Sequence, residues 1–157
     1  MTPQDLTALA ENCLTYKLKP EHFQKLCSLA QPVFFQNGHQ IIKHNGTDAD
    51  LYVILEGHAN VLTDDGDKFY DASAGTVLGE LAFLDAQPRA ANAIANGSVY
   101  ALKFPAQELR KAMCSDHEFG FYILANLTRV VCARLRSADH LLDSLMDNAH
   151  EAWALRD

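Results

Sequence analysis

Apolar and polar positions change rhythm twice along the chain. In residues 1–30, Leu6, Leu9, Ala10 and Cys13 recur at helical spacing behind Thr2-Pro3, an N-cap followed by proline at the first helical position. Asp5 stands three residues after that cap, as in a capping box. A second short helix is predicted from Pro20 through Phe23, Leu26, Cys27 and Ala30. From 31 to 104 the rhythm shortens. Apolar runs at 33–35, 40–42, 51–55 and 60–62 are each followed by a turn signal: Asn37-Gly38, Asn45-Gly46, Glu56-Gly57 and the acidic 64–67. Ala74-Gly75 and Asn96-Gly97 add two more. Turn signals about every ten residues mark a β-sandwich, barrel or roll, and Asp65-Gly66 suits a tight hairpin.

From 105 to 157 the helical rhythm returns. Pro105 opens a short helix, and a long one follows, capped near Ser115 or Asp116. Leu124, Val131, Leu135, Ala138, Leu142, Leu145, Ala149 and Ala152 line the long helix. From Val131 onward the steps alternate four and three, a heptad seam of about three repeats. A helix covering a small roll wants a broader stripe, so the seam points to a two-helix contact and a homodimer. The expected fold is therefore α+β and one domain: an antiparallel, jelly-roll-like β-roll between N-terminal helices and a long C-terminal helix. Its parts are 1–30, 31–104 and 105–157.

Composition narrows the partners. The formal charge of −7 lacks the basic face that grips phosphate backbones or anionic lipid, so DNA is an unlikely partner and a membrane is not expected. Asp5 and Glu11 interrupt any N-terminal apolar run that could serve as a signal peptide, and the reading is a soluble, cytoplasmic protein. No two of Cys13, Cys27, Cys114 and Cys132 are spaced C-x-x-C, so each is read as a buried, reduced thiol. His39, His44 and His58 form no H-x-H pair, and Asp64, Asp65 and Asp67 lack the distal glutamate of a calcium loop. Neither a metal, nor a cofactor, nor an enzyme is expected.

Residues 78–92 carry the chemistry: LGELAFLDAQPRAAN. Leu78-Gly79-Glu80-Leu81-Ala82, a short spacer, then Pro88-Arg89-Ala90-Ala91 resembles the phosphate-binding cassette of the cyclic nucleotide-binding domain. Asn45-Gly46, the Leu51–Gly57 strand and Ala74-Gly75 match the same family's turns, and the likeness runs over about residues 30–135. An arginine fork suits phosphate oxygens, a short helix opening at Gly79-Glu80 offers free N–H groups, and a carboxylate can accept from a ribose hydroxyl where a guanidinium cannot. The resemblance thus implies Glu80 on sugar and Arg89 on phosphate. Pro88 stiffens the approach to Arg89, and the two alanines leave room. Taken alone, an acid and a base nine residues apart, as Glu80 and Arg89 are, read first as an ordinary ion pair near a turn.

Two positions depart from the family pattern. Leu78 replaces an aromatic residue. Ala90 replaces the threonine that resembles cGMP-preferring members, which favours cAMP over cGMP. The resemblance also brings the base near Arg134, Ala138, Asp139 and Leu142 of the long helix, with Trp153 as a candidate lid. The expected function is a non-catalytic cyclic-nucleotide sensor that signals by reorienting the C-terminal helix to a partner surface or an unidentified effector protein. The alternatives are a transcription regulator that lacks or borrows its DNA-binding part, since only 22 residues follow Leu135, and a degenerate domain that no longer binds.

Overall fold

A computed structural model describes residues 1–154 of the chain. The order is α1 (Pro3–Ala10), a 3-10 turn (Cys13–Thr15), α2 (Pro20–Leu29), β1 (Gln31–Phe35), β2 (Gln40–Ile42), β3 (Leu51–Leu62), β4 (Lys68–Ala72), β5 (Val77–Leu78), α3 (Glu80–Asp85), β6 (Asn92–Phe104), α4 (Ala106–Ser115) and α5 (His117–Ala154). This is the α+β arrangement that the changes of rhythm imply. Asp5 completes the capping box: the Thr2 side chain accepts from its amide at 3.2 Å, and its carboxylate accepts from the Thr2 amide at 2.6 Å. α1 nevertheless stops short of Cys13. Asn12 Oδ1 accepts from Leu14 N–H at 2.9 Å, a side-chain bond that competes with the helical ladder.

Every strand pairing is antiparallel, in the order β1-β6-β3-β4, with β2 also on β6 and β5 also on β3. The long strands β3 and β6 run through the whole roll and carry partners at both ends. Glu56-Gly57 and Asn96-Gly97 are therefore not turns, as their sequence suggested, but lie inside β3 and β6. Gly57 has φ +86° and Gly97 φ +83°, and the β3–β6 register shifts around Gly57. A glycine reports a need for positive φ, which a bulge meets as well as a reversal does. At Gly57 a Cβ would fall on the Ser98 carbonyl oxygen. The expected hairpin at Asp65-Gly66 is present between β3 and β4, with Leu62 opposite Lys68.

Two apolar clusters hold the molecule together. One fills the roll from Ile41, Ile42, Tyr52, Ile54, Val61, Leu78 and Val99. The other joins the helices to its end, through Leu9, Leu14, Leu26, Phe83, Phe104, Leu109, Phe119, Ile123 and Leu127. The cassette helix α3 thus contributes Phe83 to the same core that seats α4 and the first half of α5. All four cysteines are free, but Cys13, Cys114 and Cys132 are exposed and Cys27 is half-buried. The buried-thiol reading fails because three of them occupy outward positions on helices. On α5, Leu124, Leu135, Ala138 and Leu142 are exposed and Val131 is half-buried. The side chains of Leu145, Ala149, Ala152 and Trp153 lie outside the described residues. Among the described residues, no helix is long and apolar enough to cross a membrane, and no cluster of His, Cys, Asp or Glu has the makings of a metal site.

Candidate functional site

The segment 78–92 wraps one opening of the roll. Gly79 caps the start of α3 with φ +88°. Its missing side chain makes a close approach possible: a Cβ there would strike Arg89 Nη1 and lie 2.5 Å from the Asp50 carbonyl oxygen. Glu80 follows as the first residue of α3, only 2% exposed. Arg89, also 2% exposed, is placed by its own backbone. Its N–H donates to Gly46 O at 2.9 Å, and its carbonyl accepts from Asn45 N–H at 2.9 Å. The turn at Asn45-Gly46 is thereby a support for the arginine.

The two charges that the sequence left open as an ion pair do not pair with each other. Arg89 Nη1 donates to Gly79 O at 3.1 Å, and Nη2 donates to Asp50 O at 2.7 Å and to the Asp48 carboxylate. Its Nε is buried and has no partner. A buried donor without an acceptor costs about 1–3 kcal/mol, so this N–H is open to an acceptor, while Nη2 is already engaged by Asp48 and Asp50 O. Glu80 Oε1 instead accepts from Arg134 Nη1 of α5. Arg134 Nη2 donates to Val77 O, and the guanidinium carbon lies 5.1 Å from the centre of the Tyr70 ring. Burial pushes the Tyr70 phenol up, against the opposing pull of Arg134.

Between these groups is a cavity of about 60 Å³, lined by Gly79, Glu80, Arg89, Arg134, Tyr70 and Val61 among others. Small-molecule sites usually measure roughly 300–1,000 Å³. Arg134, bonded to Glu80 and to Val77 O, forms part of its wall, and the free volume is far below that range. A hollow of about 340 Å³ between α1 and the roll is larger, yet Glu11 is the only acidic or basic side chain in its lining. Convergent, buried, opposite charges occur at the first site alone of the two.

Leu78, Gly79, Glu80, Leu81, Ala82, Arg89, Ala90 and Ala91 all line the cavity; Pro88 is exposed and does not. Of the four helix residues, Arg134 lines it, while Ala138, Asp139 and Leu142 are exposed on α5 further along. Sequence reasoning passed over Asp48, the Asp50 carbonyl, Tyr70, Asn92, Ile42 and Val61. Asp48 had a signal: a guanidinium that folding buries needs a carboxylate, and Asp48-Ala49-Asp50 begins one residue after the glycine turn. Tyr70 had only its inward register on β4, which a five-residue strand states weakly.

A model of the cyclic nucleotide-binding domain matches residues 32–116, more than half of the chain. The chain is 29% identical over 92 residues to a cAMP-dependent protein kinase regulatory subunit of Mucor circinelloides f. lusitanicus, across 57% of this chain and 22% of that protein. It is 27% identical over 142 residues to Glutaminase 1 of Bradyrhizobium diazoefficiens, across 90% of this chain and 23% of that protein. The chain thus spans less than a quarter of the length of either curated relative. A solved cyclic nucleotide-binding domain from Methylobacillus flagellatus KT superposes with a TM-score of 0.81 at 23% identity, covering 90% of this chain and 84% of that one.

Proposed function

The chain belongs to the cyclic nucleotide-binding domain family, and from that premise we propose that it is a sensor that takes cAMP and reports it through α5. The observation that carries the reading is the unpartnered, buried Nε of Arg89 in one cavity with buried Glu80. A cyclic phosphate brings one negative charge to the arginine, and its ribose brings a hydroxyl that the carboxylate can accept from. The bonds from Arg89 to Gly79 O, Asp50 O and the Asp48 carboxylate engage Nη1 and Nη2 and leave Nε without a partner. Ala90 offers no hydroxyl for a guanine, which favours adenine.

Arg134 supplies the link to α5. It occupies Glu80, so a ribose hydroxyl can take that carboxylate only when the guanidinium moves, and α5 carries it. Ligand entry and α5 position are then two views of one equilibrium. The exposed apolar residues Phe121, Leu124, Leu135 and Leu142 support pairing of α5 with a second copy, where the reorientation would be felt. Titration calorimetry of the full chain with cAMP, cGMP and cyclic dinucleotides tests the reading. We expect saturable binding with cAMP tightest, and a loss of at least tenfold in Arg89→Ala, the scale of one charge-assisted bond at about 1.4 kcal/mol per decade. Equal binding by the variant, or none by the parent chain, would refute it.

A further inference from the structure

The hollow of about 340 Å³ against α1 shares no lining residue with the cavity at Glu80 and Arg89. Three parts of the fold wall it: the end of α1 with the 3-10 turn, Ile54 and Leu55 of β3, and Ala74-Gly75 between β4 and β5. These walls are tied to one another. Asn12, only 6% exposed, donates from Nδ2 to Gly75 O at 2.8 Å while its Oδ1 accepts from Leu14 N–H. Gly75 N–H donates to Ile54 O at 2.8 Å, and Ile54 N–H to Thr76 O at 3.0 Å. The hollow is therefore preformed. A second hollow, of about 370 Å³, shares Ala8 and Glu11 with it but is lined by α1 and its cap alone, with no facing wall.

Size and lining both suit a small molecule. Such sites measure roughly 300–1,000 Å³ and are mostly apolar with a few polar groups; here Ala8, Ile54, Leu55 and Ala74 are aliphatic. Charge then selects among small molecules. The Glu11 carboxylate is exposed and, among the described residues, has no ion-pair partner. Burial pushes the Cys13 thiol up, against the opposing pull of Arg134, so the thiol stays protonated at neutral pH. Arg134 is itself engaged by Glu80. The lining thus presents one negative charge, on a chain whose formal charge is −7. An anion is opposed there, and a neutral solute leaves the carboxylate unused. A primary ammonium is a compact cation with three donors, and an aliphatic chain behind it covers the apolar wall.

We propose that this hollow is a second ligand site, which takes a small aliphatic primary ammonium compound with its nitrogen on Glu11 and its chain against Leu55 and Ala74. The site is separate from the cassette and does not rest on the cyclic-nucleotide reading. Its walls belong to α1, β3 and the β4–β5 turn, which stand in place whether or not a nucleotide is bound.

Titration of the full chain with n-pentylammonium, n-pentanol and pentanoate, followed by amide NMR, tests it. We expect saturable shifts at Glu11, Asn12, Cys13, Leu55 and Gly75 with the ammonium, weaker binding of the alcohol at the same amides, and none of the carboxylate. Glu11→Gln weakens the ammonium by roughly two- to fivefold, the scale of one exposed ion pair, and leaves the alcohol unchanged. Ala74→Trp, at an exposed position, fills the hollow and removes both, with melting curves showing that the variant is folded. Cys13 is a built-in reporter: bound ammonium slows its reaction with a thiol reagent and spares Cys114 and Cys132, which are also exposed. Absence of saturable shifts in the parent chain overturns the site. Equal binding by Ala74→Trp overturns its location. Equal loss of alcohol and ammonium in Glu11→Gln overturns the role of the charge.

Discussion

Replacing Gly79 by alanine tests the close approach on which the arrangement of Arg89 depends. Two costs fall on this position. Positive φ, here +88°, costs an L-residue roughly 1–2 kcal/mol. The added Cβ also meets Arg89 Nη1 and sits 2.5 Å from Asp50 O, so the guanidinium must leave at least one of its carbonyl partners. A hydrogen bond from a charged donor is worth about 1.5–3 kcal/mol, and Arg89 is too buried for water to replace it fully. The sum is about 2.5–5 kcal/mol of stability by those two terms. The structure supplies its own control. Gly75 has φ +87° and nothing within 4 Å of its would-be Cβ. Gly75→Ala therefore carries the backbone cost alone, and the difference between the variants, about 1.5–3 kcal/mol, isolates the crowding. Urea unfolding of both reads that difference, and calorimetry with cAMP reads its counterpart in affinity, a loss of roughly ten- to hundredfold for Gly79→Ala against less than threefold for Gly75→Ala. If the two variants unfold at the same urea concentration and bind alike, Gly79 is not making room for Arg89.

Three further outcomes follow from other parts of the molecule. Ala86 closes α3 with φ +56°, so Ala86→Gly raises stability by about 1 kcal/mol, measured by urea unfolding; a loss would show that the residue is not strained. Burial works to raise the Asp5 carboxyl, but the bonds from Thr2 and from the Tyr100 hydroxyl hold it below its ordinary value, and the Asp50 carboxyl is lowered against burial by Lys103 and the Ala106 amide. Stability from such groups is complete above the ordinary carboxylate pKa of about 3.9 and is lost as pH falls through the lowered folded values. Tyr100→Phe, which removes the 2.9 Å bond to Asp5, costs about 1–2 kcal/mol at pH 7, and melting curves show the gap to the parent chain narrowing below pH 4; a constant gap would contradict the assignment. Leu135→Glu puts a charge in the exposed stripe of α5 and shifts sedimentation toward a monomer, whereas an unchanged association state would place any pairing elsewhere.

The boundaries between helical and β sections were legible because apolar residues recur at helical spacing in α1 and α2, while between them and Pro105 short apolar runs are separated by turn signals about every ten residues. Thr2-Pro3-x-Asp5 and Asp116 were legible as caps because capping is local chemistry. Glu56-Gly57 misled because positive φ serves bulges and turns alike, and only the pairing of β3 with β6, forty residues apart, decides between them. The same holds at the site. Gly79, Glu80 and Arg89 stand in a compact motif and could be read together. Asp48 on Arg89, and Arg110 on Phe83, are contacts across 41 and 27 residues that no local pattern announces. Arg134 was placed near the base by resemblance, but its bonds to Glu80 and Val77 O depend on how α5 lies across the roll.

The bond from Arg134 to Glu80 has a consequence that runs opposite to sensing. A coupling free energy between two sites is reciprocal. If nucleotide entry displaces Arg134 as proposed, any protein surface that captures α5 with Arg134 drawn away from the roll tightens nucleotide binding by the same factor by which the nucleotide tightens that capture. A coupling of about 1–3 kcal/mol, the usual size, is roughly 5–150-fold in each direction. The amount of cyclic nucleotide needed for half-occupancy is then set partly by who else holds the helix, and the same chain would answer at different thresholds in different company.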